Sequence, residues 1–382
     1  MEKCKIESIK QLPVMPLTIE DMTWNKTGTW RLLTPVWMNK IAPCIRGCPI
    51  GQPIPQFIQA VLEGDWGTAL VRLLEVNPMP GITGRLCYHP CQTACVRKDL
   101  DSAVSIKDLE RLTADKGGIP RLTRRAAKGR KIAVCGSGPA GLSAAYFLAM
   151  KGYLITILEP SDRLGGFLRD LPEGRLSSEV LEREIRRLIS VSGLDIETNA
   201  SEVRARKYDL VLLDRTAYPS ESPEARALEK FASSAGQYLD VENKEGGAGF
   251  KVVQVAEAVA LGRWASNQTE QILGTAFTEE SQPFTALDKG ELKFSRLPDQ
   301  KTIDLLERAK GGPDEAAATE AARCLSCGTC NLCQSCIIAC PDACCRLDED
   351  EGKIIIDLYH CKGCGICSYE CPRGVMNMEY LP

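Results

Sequence analysis

Histidine is nearly absent from this 382-residue chain, which has only His89 and His360. No Ser/His/Asp or Cys/His constellation can be assembled from so few. His89 lies between Cys87 and Cys91, and His360 precedes Cys361, so each reads as a neighbour of cysteine or a surface residue, not a catalyst. A surplus of either charge is also missing: 47 basic residues face 50 acidic ones, for a net charge of -3. That excludes a strong pull toward nucleic acid or an anionic membrane. No apolar run is long enough to cross a bilayer. The first twenty residues lack the continuous apolar core of a signal peptide. We therefore expect no membrane insertion and a cytoplasmic location. An apolar fraction of 44% suits a globular protein with a sizeable core, and the length suggests two or three domains.

What is abundant is cysteine, with nineteen residues, twelve of them between Arg323 and Pro382. Their C-x2-C clustering favours metal in a reducing compartment over secreted disulfides. Cys330-x2-Cys333-x2-Cys336-x3-Cys340-Pro341 is repeated as Cys361-x2-Cys364-x2-Cys367-x3-Cys371-Pro372. This is the spacing of a two-cluster bacterial ferredoxin, in which the fourth cysteine of each run reaches the other cluster. One [4Fe–4S] cluster is expected on Cys330, Cys333, Cys336 and Cys371, and another on Cys361, Cys364, Cys367 and Cys340. Zinc, with four ligands per site, rarely shows such a duplicated run. Cys344 and Cys345 are surplus and read as buried thiols near a cluster. Cys4 and Cys135 do not read as ligands.

A second cysteine region covers residues 41–115. It holds Cys44-x3-Cys48-Pro49, helical stretches around Ile54 to Leu74 broken at Gly64-Asp65, and Cys87-x3-Cys91-x3-Cys95. If the last segment is helical, its spacing sets three sulfurs on one face. Ser105-x-x-Asp108 resembles a capping box opening a helix. Five cysteines fall short of two cubanes. Cys324 and Cys327 raise the number to seven, and Glu110 offers an eighth ligand unless it is an ordinary solvated helix residue.

Residues 131–166 carry a nucleotide signal. Strand Lys131–Cys135 runs into Gly136-x-Gly138-x-x-Gly141, a helix to Met150 and a strand ending at Glu159. Gly136 permits the turn, Gly138 lets backbone approach a pyrophosphate, and Gly141 allows close helix–strand packing. Pro139 and Ala140 open the helix whose N-terminus faces the phosphates. Glu159 stands where an acid can hold a ribose without a 2′-phosphate. Pro160-Ser161-Asp162-Arg163-Leu164-Gly165-Gly166, with five residues between Glu159 and the glycine pair, resembles the Glu-x6-Gly-Gly extension of two-dinucleotide flavoproteins.

Together these stretches resemble the glutamate synthase small-subunit family, also met in dihydropyrimidine dehydrogenase and ferredoxin:NADP transhydrogenases. The residues carrying the resemblance are Cys44-x3-Cys48-Pro49, Asn77-Pro78, Thr83-Gly84-Arg85-Leu86-Cys87, Cys91, Cys95, Ser105-Ile106-x3-Glu110-Arg111 and the glycine-rich turn. The family's Ala-x-Arg-Cys-x-x-Cys element is missing upstream. A similar element, Ala322-Arg323-Cys324-Leu325-Ser326-Cys327, stands near the C-terminus. The resemblance implies one cluster on Cys44, Cys95, Cys324 and Cys327, another on Cys48, Cys87, Cys91 and Glu110, and FAD on the glycine-rich turn. Two departures matter. Asp214-Arg215-Thr216-Ala217 stands where the family has Ala-Thr-Gly, and Gly246-Gly247 where it has Gly-Asp. No second G-x-G-x-x-G appears, so the nicotinamide domain is read as deleted.

The expected fold is α/β with α-helical and α+β iron–sulfur modules. An N-terminal arm (1–40) leads to a helical iron–sulfur domain (41–115) and a linker (116–130). A single Rossmann-like FAD domain (131–285), a connector (286–322) and a ferredoxin-like domain (323–382) follow. The expected role is an electron-transfer subunit relaying electrons between FAD and four [4Fe–4S] clusters. Its partners would be a catalytic oxidoreductase subunit or ferredoxin in a hetero-oligomer, with NAD(P)H reached through a partner. One alternative is an NAD(P)H:ferredoxin-type reductase with hydride transfer to FAD. Another is an iron–sulfur scaffold whose flavin site is dead.

Overall fold

A computed structural model describes residues 32–200, 207–219, 221–234, 238–241, 255–275, 287, 312–350 and 352–380. The readings of Cys4, most of the N-terminal arm, Gly246-Gly247 and most of the connector lie outside the described residues. The chain divides into two compact units. One combines residues 32–40 with 326–380, the other 41–275 with 312–325.

In the smaller unit β1 (Leu33–Trp37) pairs antiparallel with β9 (Met376–Tyr380), Leu33 opposite Tyr380. β7 (Cys345–Asp348) pairs antiparallel with β8 (Lys353–Ile356). Short helices Ser335–Ile338 and Ile366–Glu370 follow left-handed residues, Gln334 and Gly365. The buried cluster here is small: Ile354, Val375, Met376 and three cysteines, with Trp37 packed against them. A core of this size needs a covalent or metal staple to be stable.

The larger unit begins with helices α1 (Pro43–Arg46), α2 (Ile54–Leu62), α3 (Trp66–Leu74), α4 (Pro80–Leu86), α5 (Pro90–Thr93) and α6 (Ile106–Lys116). Proline opens α1, α4 and α5, where its missing N–H costs nothing. Asp65 separates α2 from α3, its Oδ1 accepting the Thr68 N–H at 2.9 Å. Two expectations are corrected. The Cys87–Cys95 segment is not one helix: α4 ends at Leu86, and His89 is left-handed (φ 54°) before α5. Ser105 precedes α6 but its side chain caps nothing. Its N–H instead donates to Glu320 Oε1 at 2.7 Å.

The rest is a five-stranded parallel sheet in the order β4-β3-β2-β5-β6. The strands are β2 (Lys131–Cys135), β3 (Leu154–Glu159), β4 (Asp195–Thr198), β5 (Leu210–Asp214) and β6 (Tyr238–Val241). The helices are α7 (Pro139–Met150), α8 (Ser178–Ser192), α9 (Pro223–Ser234) and α10 (Val255–Ile272). An α/β fold results. Strands β2 and β5 lie in mid-sheet and are nearly all apolar, as parallel strands covered on both faces require. Cys135 is fully buried in β2.

The helical layer shares its core with the sheet. Ile50, Met79, Ile82 and Cys87 pack into the cluster that contains Val134, Tyr146 and Leu188. Tyr146 Oη donates to the Leu74 carbonyl at 3.1 Å. Glu184 on α8 accepts the Gly81 N–H at 2.8 Å and pairs with Arg187, whose Nη1 donates to the Ala114 carbonyl at 2.8 Å. A Cβ on Gly81 would meet the Glu184 carboxyl at 2.5 Å, so glycine is needed for this approach.

Candidate functional site

The two duplicated cysteine runs line two cavities of the smaller unit. One is walled by Cys330, Cys333, Cys336 and Cys371. The other is walled by Cys340, Cys361, Cys364 and Cys367, with Cys344 and Cys345. The sorting follows from topology. Each C-x2-C-x2-C run wraps a turn and the start of a short helix, and the fourth cysteine before proline points to the other cavity. Among the described residues no three Cys, His, Asp or Glu side chains gather as they would around a single ion. Cysteines holding a cubane need not converge, since each binds a different corner; four zinc ligands must meet at about 2.3 Å from one point.

Cys345 is buried beside both Cys336 and Cys367, one from each quartet, with a single S–H to donate to either. A hydrogen bond from it is the main cause lowering the pKa of each, and Cys367 is brought to about 7. Backbone N–H groups reach sulfur as well: Cys344 N to Cys340 Sγ at 3.2 Å and Gly363 N to Cys361 Sγ at 3.4 Å. Such bonds favour the thiolate.

In the larger unit Cys48, Cys87, Cys91 and Glu110 lie within one another's electrostatic reach. Burial pushes Cys48 up and Cys87 up to about 11, with Glu110 adding to both. Cys91 is raised in the same way, by burial first and then by Cys48, Glu110 and Cys87. Four acid groups crowded in an apolar setting are unfavourable as bare anions and suit a polycationic centre that holds them deprotonated. Glu110 is not the solvated helix residue of the alternative reading. It is 3% exposed, and its Oε1 accepts from Gln52 at 2.9 Å, Asn77 at 3.2 Å and the Thr83 hydroxyl. Its Oε2 faces His89 Nε2 at 3.5 Å. His89 is likewise buried, and its N–H reaches Cys87 Sγ at 3.2 Å. Asn77 and Thr83 were noted in the sequence only as carriers of the resemblance, and Gln52 not at all; that they hold Glu110 shows only in the structure.

Cys95 and Cys91 lie in the other helical cluster, with Phe57, Ile58 and Leu109, and Cys44, Cys48 and Cys324 pack against it. Cys324 is delivered by helix Pro313–Ala321, whose Ala317 and Ala321 pack in the same cluster. Polar contacts fix the approach. Arg323 donates to Glu320 at 2.7 Å, to Asp101 at 3.0 Å and to the Ser102 carbonyl at 2.6 Å. Hydrogen bonds from Arg97, with Arg323 nearby, hold Asp101 well below the usual carboxylate range. Cys327 falls in the smaller unit.

The glycine-rich turn sits between β2 and α7 as expected. Gly136 has φ +93°, and a Cβ on Gly141 would lie 2.3 Å from the Gly136 carbonyl, which is the close packing assigned to it. The side of Gly138 expected to face a pyrophosphate faces protein. A Cβ there would lie 2.6 Å from Ala217 Cα and 2.8 Å from Asp214 Oδ2. Asp214 Oδ2 accepts the Gly141 N–H at 2.7 Å, and Oδ1 accepts the Thr216 N–H at 3.0 Å. Glu159 ends β3, fully buried. It accepts from the Ser137 N–H at 3.0 Å, the Ser161 N–H at 2.8 Å and the hydroxyls of Ser137 and Tyr218. Gly165 N donates to Ser137 Oγ at 2.9 Å, and the next residue, Gly166, lies against Ala217 and Gly138. Two basic residues at the end of the linker are ion-paired, Arg130 with Asp209 and Lys128 with Glu270.

Burial raises the Asp214 carboxyl to about 6, against 3.8 ordinarily. A carboxyl raised on folding favours the folded state fully below pH 4, and that contribution is lost as pH rises through 6. The full effect is about 3 kcal/mol. Denaturation of the wild type and Asp214→Asn between pH 5 and 8 checks this. Wild-type stability should fall with rising pH, relative to the variant, by about half that amount.

Residues 38–118 match the family described as dihydropyrimidine dehydrogenase domain II, 4Fe-4S cluster. Residues 134–188 match the NAD(P)-binding Rossmann-like domain. The small chain of glutamate synthase [NADPH] from Bacillus subtilis (strain 168) is 42% identical over 159 residues, 40% of this chain and 32% of that protein. The beta subunit of NADPH-Fe(3+) oxidoreductase from Geobacter sulfurreducens (strain DL-1 / KN400) is 35% identical over 195 residues, 47% of this chain and 29% of that protein. The glutamate synthase [NADPH] small chain of Mycobacterium tuberculosis (strain CDC 1551 / Oshkosh) is 36% identical over 182 residues, 44% and 37% of the two chains. The matched stretch thus spans less than two fifths of each relative. Over that stretch the chain is similar to the glutamate synthase small-chain family, with its 4Fe-4S cluster domain followed by its Rossmann dinucleotide-binding domain. Among the described residues no helix is long and apolar enough to cross a membrane.

Proposed function

We propose that this chain, built on the iron–sulfur and Rossmann segments of a glutamate synthase small-chain-like protein, is the electron-transfer subunit of an oxidoreductase complex. The observation that best supports this is the division of the duplicated cysteine runs into one quartet per cavity. A [4Fe–4S] cluster carries single electrons at a potential set by its surroundings. Cys330, Cys333, Cys336 and Cys371 would hold one cluster, and Cys340, Cys361, Cys364 and Cys367 a second. Cys48, Cys87 and Cys91, with Glu110, would hold a third. Cys44, Cys95 and Cys324 would share a fourth with Cys327, the last assigned on C-x2-C spacing alone.

Backbone N–H groups beside Cys340 and Cys361 stabilise negative charge on sulfur. One cysteine of each small-unit quartet, Cys333 and Cys364, is exposed. Electrons can therefore pass at the surface to a ferredoxin or a catalytic subunit, in a hetero-oligomer. Anaerobic purification followed by iron and sulfide analysis tests the reading. The expected content is about sixteen irons per chain, four for each cluster. About eight would leave only the pair in the smaller unit and overturn the four-cluster assignment.

A further inference from the structure

We infer that the dinucleotide cradle of this Rossmann unit is filled by the chain itself, and that the domain takes neither FAD nor NAD(H). A Rossmann unit meets its ligand through three features: the open side of the second glycine, free N–H groups at the helix N-terminus, and the acid ending the second strand. Here all three are turned to protein. Ala217 and the Asp214 carboxylate occupy the side of Gly138. Asp214 takes the Gly141 N–H at 2.7 Å, so a carboxylate already sits at the positive end of α7. Both oxygens of Glu159 are engaged, one of them by the Tyr218 hydroxyl. The turn from Gly136 to Gly141 is buried throughout.

The filling residues share one origin. Asp214, Ala217 and Tyr218 belong to or directly follow the stretch Asp214-Arg215-Thr216-Ala217, which stands where the resembling family has Ala-Thr-Gly. A phosphate entering there would meet a fixed negative charge instead of a bare N–H. To reach the ribose acid, a ligand hydroxyl would have to displace Tyr218. Phe167 N donates to the Ala217 carbonyl at 2.9 Å, which holds the Gly165-Gly166 segment over the same place. The domain then serves as a frame for the helical iron–sulfur layer, and the chain accepts no hydride. The inference stands or falls separately from the cluster assignments, because none of their ligands is involved.

The test uses the whole chain, purified anaerobically and shown to be folded by its iron content. Flavin is extracted with acid and measured. The protein is then incubated with FAD, ADP or NADH in turn, and retained flavin and the thermal midpoint are recorded. A site-specific ligand at about a hundred times its Kd would raise the midpoint by several degrees. The expected results are no flavin as purified, none retained, and no shift with ADP or NADH. Stoichiometric flavin, saturable retention of FAD, or a shift with any of the three would overturn the inference.

Discussion

Replacing Cys95 and Cys324 together by serine is expected to remove about four irons per chain, a quarter of the total, while leaving the signals of the small-unit clusters unchanged. The two residues are separated by most of the sequence, yet both pack in the apolar cluster that also holds Cys44. Helix Pro313–Ala321 is fixed against α2 by its alanines, and Glu320 and Arg323 fasten its end to the loop before α6. The thiol of Cys324 is therefore positioned by neutral packing and by ion pairs that serine does not disturb. Two hydroxyls in place of two thiolates leave a cubane with half its ligands, too few to retain it. The measurement is iron analysis with electron paramagnetic resonance of the reduced protein. A full iron complement in the double variant would sink the idea that Cys324 belongs to the head of the chain.

Arg187→Ala is expected to destabilise the larger unit by about 3–5 kcal/mol, the range for removing one partner of a buried ion pair. Glu184 is fully buried, and burial raises its pKa although Arg187 opposes the shift. Without the guanidinium the carboxylate keeps the Gly81 N–H and the charge of Arg183, and the Ala114 carbonyl loses its donor. The lost Ala114 contact joins α6 to α8, and the carboxylate left without its partner is the one that accepts the Gly81 N–H of α4. Cooperative unfolding should therefore move to a lower denaturant midpoint, and the helical layer should become more open to hydrogen exchange. Glu184→Gln combined with Arg187→Met should recover part of the loss, since it leaves no bare charge inside. A variant as stable as the wild type would show that the pair contributes nothing net.

Much of this was legible in the sequence because it depends on local rules. Cysteine spacing is one-dimensional, and a quartet divided between two runs can be read from order alone. The strand–turn–helix at Gly136 follows from glycine sterics, and the ends of β2 and α7 fell where expected. The misses depend on long-range contacts. Ser105 looked like a cap, but its N–H is satisfied by Glu320, more than two hundred residues away. Cys87, Cys91 and Cys95 looked like one helical face. Proline at position 90 restarts the helix after a left-handed His89, so the three cysteines do not share one helical face. Glu110 was ambiguous because α6 is polar on average, and only the tertiary partners Gln52, Asn77 and Thr83 decide that it points inward. Asp214-Arg215-Thr216-Ala217 was visible as a departure from the family pattern. What it fills could not be read until β5 was placed beside β2.

The pairing of β1 with β9 has a consequence for how the protein is made. The first described strand finds its partner only at the far end of the 382-residue sequence. At roughly 5–20 residues per second, the ribosome exposes β1 tens of seconds before β9 exists. Until then β1 is an unpaired edge, and residues 326–380 cannot close around their cysteines. Cluster loading in the smaller unit therefore waits until β9 has been synthesised, whereas Cys44, Cys48, Cys87, Cys91 and Cys95 are available early. Assembly acquires an order, with the head able to receive iron first and the ferredoxin-spaced cysteines last. A fragment cut to residues 326–382 would keep all eight of those cysteines and still lack the strand that covers β9.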